Sequence, residues 1–322
     1  MKKFLSLFLI FSLALGLLAG CGGAPEAPEP PETTEGVKNT VKPFSTDDPA
    51  ADDTINILMI GNSFCYYYAD ELVGMAAANG IKLRVSNVYY SGCSLTQHYN
   101  WWKNGESNYT FITHDEKGRT EQVGTNLEYC LKQGNWDMIS LQQGGTDTTG
   151  GKTVEQALDD TRAMRAELWE YIKARFPMAK YYWHHTWSYQ IGYDRNGVKY
   201  ETVDRQHERD QYMSTWSKRI CNENQLIRIP SGEAWRRVRD GGYDNLCERM
   251  GVNEGKGDYY HDGDTGGGQY LNACVWFERV LGQNCIGNTW RPSYALSEDM
   301  IAMLQKAAHD TVALVKADEE GM

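Results

Sequence analysis

The chain has 322 residues, of which 41% are hydrophobic and 23% are charged, and its formal net charge is -11 at pH 7. This length and apolar content suit a globular protein with a substantial core, and they exclude a disordered or fibrous chain. With 32 basic against 43 acidic residues, the chain offers no basic face for nucleic acid, so a nucleic-acid partner is excluded as well.

The first twenty residues have the three parts of a secretory signal. Lys2 and Lys3 precede an apolar stretch, 4–18, that is too short to favour a membrane-spanning helix, and small residues follow it. The tetrapeptide Leu18-Ala19-Gly20-Cys21 resembles the lipobox of a bacterial lipoprotein, which implies cleavage before Cys21 and lipid attachment to its sulfur. Alternatively, the segment is an ordinary secretory signal and Cys21 is incidental. Both interpretations predict export, and the first predicts a lipid anchor at the extracytoplasmic face of the cell membrane.

A proline-rich segment follows this signal. Residues 21–54 contain six of the nine prolines of the chain, placed among Glu, Thr and Asp. This composition is typical of a solvated, semi-extended spacer. We therefore expect a signal peptide over residues 1–20, a linker over 21–54 and one folded domain over 55–322.

Apolar runs of strand length alternate with segments of helical periodicity beyond residue 54. The five runs are 55–60, 83–88, 136–141, 180–184 and 226–229. Residues 154–176 have the clearest helical period between them. The alternation predicts the α/β class, as a three-layer α/β/α sandwich around a five-stranded parallel sheet. We also expect an inserted hairpin over 109–123, a long loop over 187–204 and a closing helix over 297–315.

The first strand delivers a serine to the edge of this sheet where ligands bind. Ligands of open parallel sheets lie beyond the carboxyl ends of the strands, and Ser63 stands just past the end of the first one. Gly61 permits a sharp turn, and the helical period after Ser63 places free backbone N–H groups near the hydroxyl. A serine here can also be an N-cap and nothing more. Cys65 replaces the second glycine of a G-x-S-x-G motif, and we expect it to pack as a small buried group.

An aspartate and a histidine near the C-terminus can supply the partners that a serine nucleophile needs. Such a serine requires a base for its proton and a carboxylate that orients the base. Of the seven histidines, only His261 has a carboxylate placed locally, since Asp258 precedes it by three residues. This spacing can bring both side chains to the same side of a turn or helix. Asp258 and His261 are therefore candidates to complete a triad with Ser63.

Four short motifs together resemble the SGNH, or GDSL-type, serine hydrolase superfamily, in a branch whose nucleophile block is GNSF. They are Gly61-Asn62-Ser63-Phe64, Ser91-Gly92-Cys93-Ser94, Leu141-Gln142-Gln143-Gly144 and Asp258-Tyr259-Tyr260-His261. The resemblance implies a flavodoxin-like sheet, with Ser63 as nucleophile, His261 as general base and then acid, and Asp258 as the residue that orients His261. It also implies that the backbone N–H groups of Ser63 and Gly92 belong to an oxyanion hole. No metal or organic cofactor is expected.

The chain departs from the superfamily's pattern at two positions. Asn62 stands where the superfamily usually has Asp, which removes a charge beside the nucleophile but no catalytic group. The third block usually supplies an Asn side chain to the oxyanion hole, and this chain has none there. A Gln amide carries the same donors on a longer stem, so we expect Gln142, or Gln143 as a second choice, to replace it.

Aromatic and histidine residues near the same edge are candidates for a substrate pocket. Tyr67, His185 and Trp187 are expected there, and aromatic rings can stack on sugars. His184 and His185 are not expected to bind zinc, because no further histidine or acid sits at ligand spacing. The seven cysteines beyond Cys21 lack Cys-x-x-Cys metal spacing and predict no particular disulfide.

These observations predict a membrane-anchored, extracytoplasmic serine esterase that removes a short acyl group, such as acetyl, from a carbohydrate or cell-surface glycan. Its expected partners are the acylated carbohydrate and, through the lipid anchor, the membrane. Two alternatives are a glycan-binding lipoprotein without turnover and a lipid or thioester hydrolase with the same triad. The polar, aromatic-rich loops favour a sugar ester over a lipid.

Overall fold

Nine strands and eight helices alternate along the part of the chain that the computed structural model describes, residues 42–49, 53–143, 151–191, 194–195, 198–199, 202–248 and 264–321. The strands are β1 Thr54–Gly61, β2 Lys82–Tyr89, β3 Tyr109–Asp115, β4 Gly118–Thr125, β5 Met138–Gln142, β6 Lys180–His184, β7 Asp194–Arg195, β8 Val198–Lys199 and β9 Ile227–Ile229. The helices are α1 Ala69–Ala78, α2 Leu95–Asn104, α3 Leu127–Leu131, α4 Val154–Arg175, α5 Val203–Asn224, α6 Ser231–Asp240, α7 Gly268–Arg279 and α8 Glu298–Glu320.

Seven of these strands form one mixed sheet in the order β4-β3-β2-β1-β5-β6-β9. The strands β2, β1, β5, β6 and β9 pair in parallel, and they coincide with the five predicted apolar runs. Counted along the chain, these five lie in the order 2-1-3-4-5, which is that of flavodoxin-like sheets. The prediction of a sheet with five parallel strands is nevertheless wrong in its count. The inserted hairpin β3–β4 pairs antiparallel with β2 and extends the sheet to seven strands.

The hairpin joins the sheet because its first strand can be buried and its second can face solvent. In β3, Phe111 and Ile112 are buried, whereas β4 is exposed over all but its last residue. Arg119 and Glu121 form an ion pair of 2.9 Å on β4. Charged side chains on an edge strand discourage pairing with another chain.

Side chains of the central strand β1 alternate between two apolar layers, one on each face of the sheet. Ile57 and Met59 pack with residues of α1, α6, α7 and α8. Leu58 and Ile60 pack with residues of α2, α3, α4 and α5. A parallel strand covered on both faces is nearly continuously apolar, as the run 55–60 is, with Asn56 as its one polar residue. The predicted α/β class with helices on both faces of the sheet is therefore confirmed.

The predicted helices and loops differ from the structure mainly at their ends. The helices α4 and α8 confirm the expected helices, and each begins after a capping residue, Thr153 or Ser297. The predicted loop 187–204 contains the short hairpin β7–β8, and α5 already begins within it. In the described part of the chain, no helix combines the length and apolar character that a membrane span requires. Cys21 and residues 1–41 lie outside the described residues, so the predicted domain boundaries stay predictions.

Candidate functional site

Ser63 lies on a tight turn directly beyond the central strand β1. The strand ends at Gly61, and Ser63, Phe64 and Cys65 form one turn of 3-10 helix before α1. The side-chain Oδ1 of Asn62 accepts a hydrogen bond of 3.1 Å from the backbone N–H of Phe64. The N-cap of the turn is therefore Asn62, so Ser63 does not have the simple capping role that a serine at this place can have. Cys65 is buried, as predicted.

Asn62 joins three loops at this edge of the sheet. Its Oδ1 also accepts a bond of 2.7 Å from Nε2 of Gln142, at the end of β5. Its Nδ2 donates a bond of 3.0 Å to the carbonyl oxygen of Cys93, in the loop between β2 and α2. An ionised Asp could accept the first bonds but could not donate the last one, which accounts for Asn at position 62. The buried side chain thus holds the Ser63 turn, the Gly92 loop and the end of β5 together.

The Gln142 amide packs over Gly61. A Cβ atom at position 61 would lie 2.5 Å from Nε2 of Gln142, so an alanine would displace the amide. Gln142 is buried, and one of its two amide N–H groups is held by Asn62. The second N–H group of this amide is therefore also held in a fixed position beside the Ser63 turn. This geometry suits an oxyanion donor, and the role of Gln142 stays a prediction.

Gly92 lies in an exposed loop that borders a cavity. Its φ of +66° is in the left-handed region, which favours glycine. The next residue, Cys93, is the one that accepts the bond from Asn62. The cavity has a volume of about 310 Å³, and Gly92 and Gln143 line it. The backbone of the predicted oxyanion loop therefore faces an open space large enough for a small ligand.

Sequence reasoning did not identify Asn62 as a residue that organises the site. The signal for it was present, since Asn62, Cys93 and Gln142 each stand at or just beyond the carboxyl end of one of three neighbouring strands, β1, β2 and β5. Carboxyl ends of parallel strands meet at one edge of a sheet. A polar side chain with both a donor and an acceptor at this edge can link the loops on either side.

Two neighbouring histidines at the end of β6 are buried. Nε2 of His184 lies 3.0 Å from the Ser231 hydroxyl, which is the spacing of a nucleophile and its base. However, Ser231 is 0% exposed, and the rings of Trp187 and Trp276 lie against His184. Burial lowers the pKa of His184 and of His185 to about 3, so both rings are neutral at neutral pH. The pair Ser231–His184 is therefore a core contact and not a second catalytic site.

The predicted pocket residues have different surroundings. Tyr67 is half-buried and packs on Tyr66, with ring centroids 4.4 Å apart. Trp187 is fully buried, and its ring lies 4.5 Å from that of Trp235 in a stacked arrangement. Trp187 and His185 are therefore packed in the core of this structure, and their expected contact with substrate stays a prediction. Tyr67 retains surface that a ligand could reach.

Asp258 and His261 lie outside the described residues, so their roles stay predictions. Among the residues that the structure does describe, no group of three His, Cys, Asp or Glu side chains is placed to hold a metal ion.

We expect the folded state to lose stability as the pH falls from about 6.5 towards 3, because buried histidines resist protonation. Burial lowers the pKa of His98, like those of His184 and His185, to about 3. The unfolded chain therefore binds more protons within this window, and the stability that is fully present above it is lost on acidification. Urea unfolding at several pH values measures the effect. His98→Asn can keep the bond to the Tyr109 hydroxyl, and its free energy of unfolding should depend less steeply on pH. The same slope in the variant and the wild type would contradict the prediction.

The family comparison covers most of the chain. The sequence model of a domain of unknown function, DUF4886, matches residues 56–311. The crystal structure of a DUF4886 family protein from Bacteroides uniformis ATCC 8492 is similar at 28% sequence identity, with a TM-score of 0.70. That similarity covers 81% of this chain and 95% of the other. A search of curated proteins found no match.

Two other solved structures are more distant. A candidate SGNH hydrolase from Slackia heliotrinireducens has a TM-score of 0.45 and 19% identity, over 70% of this chain and 99% of the other. A carbohydrate esterase family 3 protein from Talaromyces cellulolyticus has a TM-score of 0.42 and 10% identity, over 71% and 97% of the two chains. Similarity at this level assigns no activity to the present chain.

Proposed function

The chain belongs to the DUF4886 family, and we propose that it is a serine esterase of SGNH type with Ser63 as its nucleophile. The arrangement at the end of β1 carries the proposal. Ser63 lies in a tight turn there, and the loops of Gly92 and Gln142 are both tied to Asn62 beside it. Donors that are fixed before the reaction begins are what acyl transfer requires, because charge develops on the substrate oxygen in the transition state.

The reaction follows from the chemistry of a serine triad. Ser63 Oγ attacks the carbonyl carbon of the ester while His261 accepts its proton, and Asp258 orients the imidazole. His261 then gives the proton to the leaving alkoxide, and water repeats the sequence on the acyl-enzyme. The backbone N–H groups of Ser63 and Gly92, together with the Gln142 amide, stabilise the oxyanion. The sequence motif around His261 supports the roles of Asp258 and His261.

The proposed substrate is a carbohydrate or cell-surface glycan that carries a short acyl group such as acetyl. The polar side chains that line the cavity beside Gly92, including Ser94, Gln97 and Gln143, support a polar substrate. They make a lipid or thioester hydrolase with the same triad the less favoured alternative. A glycan-binding lipoprotein without turnover is the alternative from another class.

Acetate release from acetylated polysaccharides by the full-length chain tests this proposal. We expect release, and we expect a fluorophosphonate to label Ser63 covalently, as mapped by peptide mass spectrometry. Binding of acetylated glycan with neither release nor labelling would identify the binding lipoprotein instead. Fatty-acid release from phospholipid, with no acetate release from sugar esters, would identify the lipid hydrolase.

Gln142→Ala is expected to lower kcat by about 10²- to 10³-fold with little change in KM, since an oxyanion donor acts mainly on the transition state. Steady-state hydrolysis of 4-nitrophenyl acetate measures both constants. Asn62→Ala should lower kcat in the same direction, because it releases the Gln142 amide. Gln143→Ala is the matched control for Gln142→Ala, and its effect on kcat should be much milder. Full activity in both glutamine variants and in the double variant would show that the donors are backbone groups or another residue.

We also propose that the mature protein begins at a lipidated Cys21 and is anchored at the extracytoplasmic face of the cell membrane. The lipobox-like tetrapeptide after the apolar stretch supports this location. A labelled fatty acid should enter the wild-type protein and be absent from Cys21→Ala. Equal labelling of both proteins would contradict the anchor.

A further inference from the structure

We infer that the cavity beside Gly92 is a subsite for the hydroxyl-rich part of the substrate, the sugar that leaves as the alcohol. This inference rests on the proposed function, because it takes the bound ester to lie between Ser63 and Gly92. The alcohol portion of such an ester has to occupy space next to the oxyanion loop. The cavity that Gly92 lines is the space that the structure provides beside that loop.

The walls of this cavity come from the helices α2, α4 and α5, from the loop before α2 and from the residue that follows β5. Asp160, Thr161 and Met164 project from one face of α4, at the three- and four-residue spacing that aligns side chains on a helix. Thr96 and Gln97, in the first turn of α2, lie opposite. At about 310 Å³, the cavity is at the lower end of the size range of small-molecule sites, which suits a small ligand and not a long polymer segment.

Two side chains that line the cavity carry buried polar atoms without a hydrogen-bond partner among the described residues. They are Nε1 of Trp216, which is a donor, and Oε1 of Gln143, which is an acceptor. Buried polar groups are nearly always paired, so an unpaired donor and an unpaired acceptor on two side chains that line one cavity favour a polar ligand or water there over an apolar one. A sugar hydroxyl both donates and accepts and can satisfy either atom, whereas an alkyl chain can satisfy neither.

A charged pair adds further polar groups to the cavity wall. Nζ of Lys152 lies 2.5 Å from Oδ2 of Asp160, and both side chains are about half exposed. An exposed pair of this kind contributes little to the stability of the fold. Its ammonium group can donate to a hydroxyl oxygen and its carboxylate can accept from a hydroxyl group, as the sugar of the proposed substrate would require. An apolar chain in the same position would desolvate both charges.

Asp160→Ala should lower the preference of the protein for sugar esters over 4-nitrophenyl acetate. The preference is the ratio of the two kcat/KM values, with 6-O-acetylglucose, 6-O-acetylgalactose and a mono-acetylated methyl xyloside as sugar esters. We expect a fall of about 10- to 100-fold for the best of the three, the size expected from losing a hydrogen bond to a charged group. Asp318→Ala is the matched control, because Asp318 pairs with Lys218 at 3.1 Å on another surface. Its ratio should equal that of the wild type.

Direct binding separates this inference from the proposed function. Isothermal titration of the full-length Ser63→Ala protein with the same three sugar esters should give an affinity that falls when Asp160→Ala is added. Trp216→Phe keeps one aromatic ring but lacks the indole N–H donor, and it should weaken binding as well. If the wild-type protein released no acetate from any of these esters, binding that depends on Asp160 would overturn the esterase and retain the subsite. Equal effects of Asp160→Ala and Asp318→Ala, or no binding of any of the three esters, would overturn the subsite.

Discussion

Ser63→Ala is expected to lower kcat for 4-nitrophenyl acetate by about 10⁴- to 10⁶-fold, because it removes the atom that forms the acyl-enzyme. The remaining activity would come from the oxyanion hole and from binding alone. Steady-state hydrolysis measures the loss, and the same protein should no longer react with a fluorophosphonate. The turn itself should persist, because its cap is the Asn62 side chain and not the Ser63 hydroxyl.

Ser231→Ala is the control for this substitution. Ser231 also has a histidine ring nitrogen 3.0 Å from its hydroxyl, but it is buried. We expect Ser231→Ala to retain hydrolysis and to lose some stability through the lost contact with His184. If Ser231→Ala were inactive and Ser63→Ala retained the wild-type rate, the nucleophile would be assigned to the wrong serine.

His261→Ala is expected to abolish turnover to a comparable extent, since no other group would take the serine proton. In the wild type, kcat/KM should rise with pH through the titration of an imidazole, whose ordinary pKa is about 6.5. The pH profile of hydrolysis measures this directly.

The buried histidines provide the contrast. His184→Ala and His185→Ala should leave a measurable fraction of the activity, because these rings pack in the core. With the pKa of each at about 3, a rate that depended on either ring would already be constant from about pH 5 upward. A flat profile over that range, together with activity in His261→Ala, would show that another group is the base.

The parallel part of the fold could be predicted from the sequence because its signals are local. Each parallel strand is an apolar run, and the two faces of β1 are both covered, so the run needs no alternation. The hairpin was visible for the same reason, but its place in the sheet was not. The strand β4 is polar and exposed, as in a hairpin that stands apart from the sheet. No local pattern in the hairpin therefore indicates that β3 pairs with β2.

The site could be predicted only where its residues sit in motifs. Ser63, Gly92 and Gln142 stand at or just beyond strand ends, and the topology brings those ends to one edge. The burial of Trp187 could not be predicted, because it depends on stacking against Trp235, 48 positions further along the chain. The link from Asn62 to Gln142 spans 80 positions, so only the meeting of the strand ends at one edge of the sheet, and no pattern near either residue, indicates it.

That separation has a consequence for the order of events when the chain folds. Strand β1 pairs with β2 over a short stretch of sequence, for example Leu58 with Ser86, but its pairing with β5 joins Leu58 to Ile139. The chain between β1 and β5 is the longer loop, and closing it costs more conformational entropy before new contacts offset that cost. Pairings between distant strands therefore tend to form late. The bond between Asn62 and Gln142 can form only after β5 has docked. During refolding, helical circular dichroism should therefore return before hydrolytic competence does, because we expect the proposed active site to be among the last parts of the domain to mature.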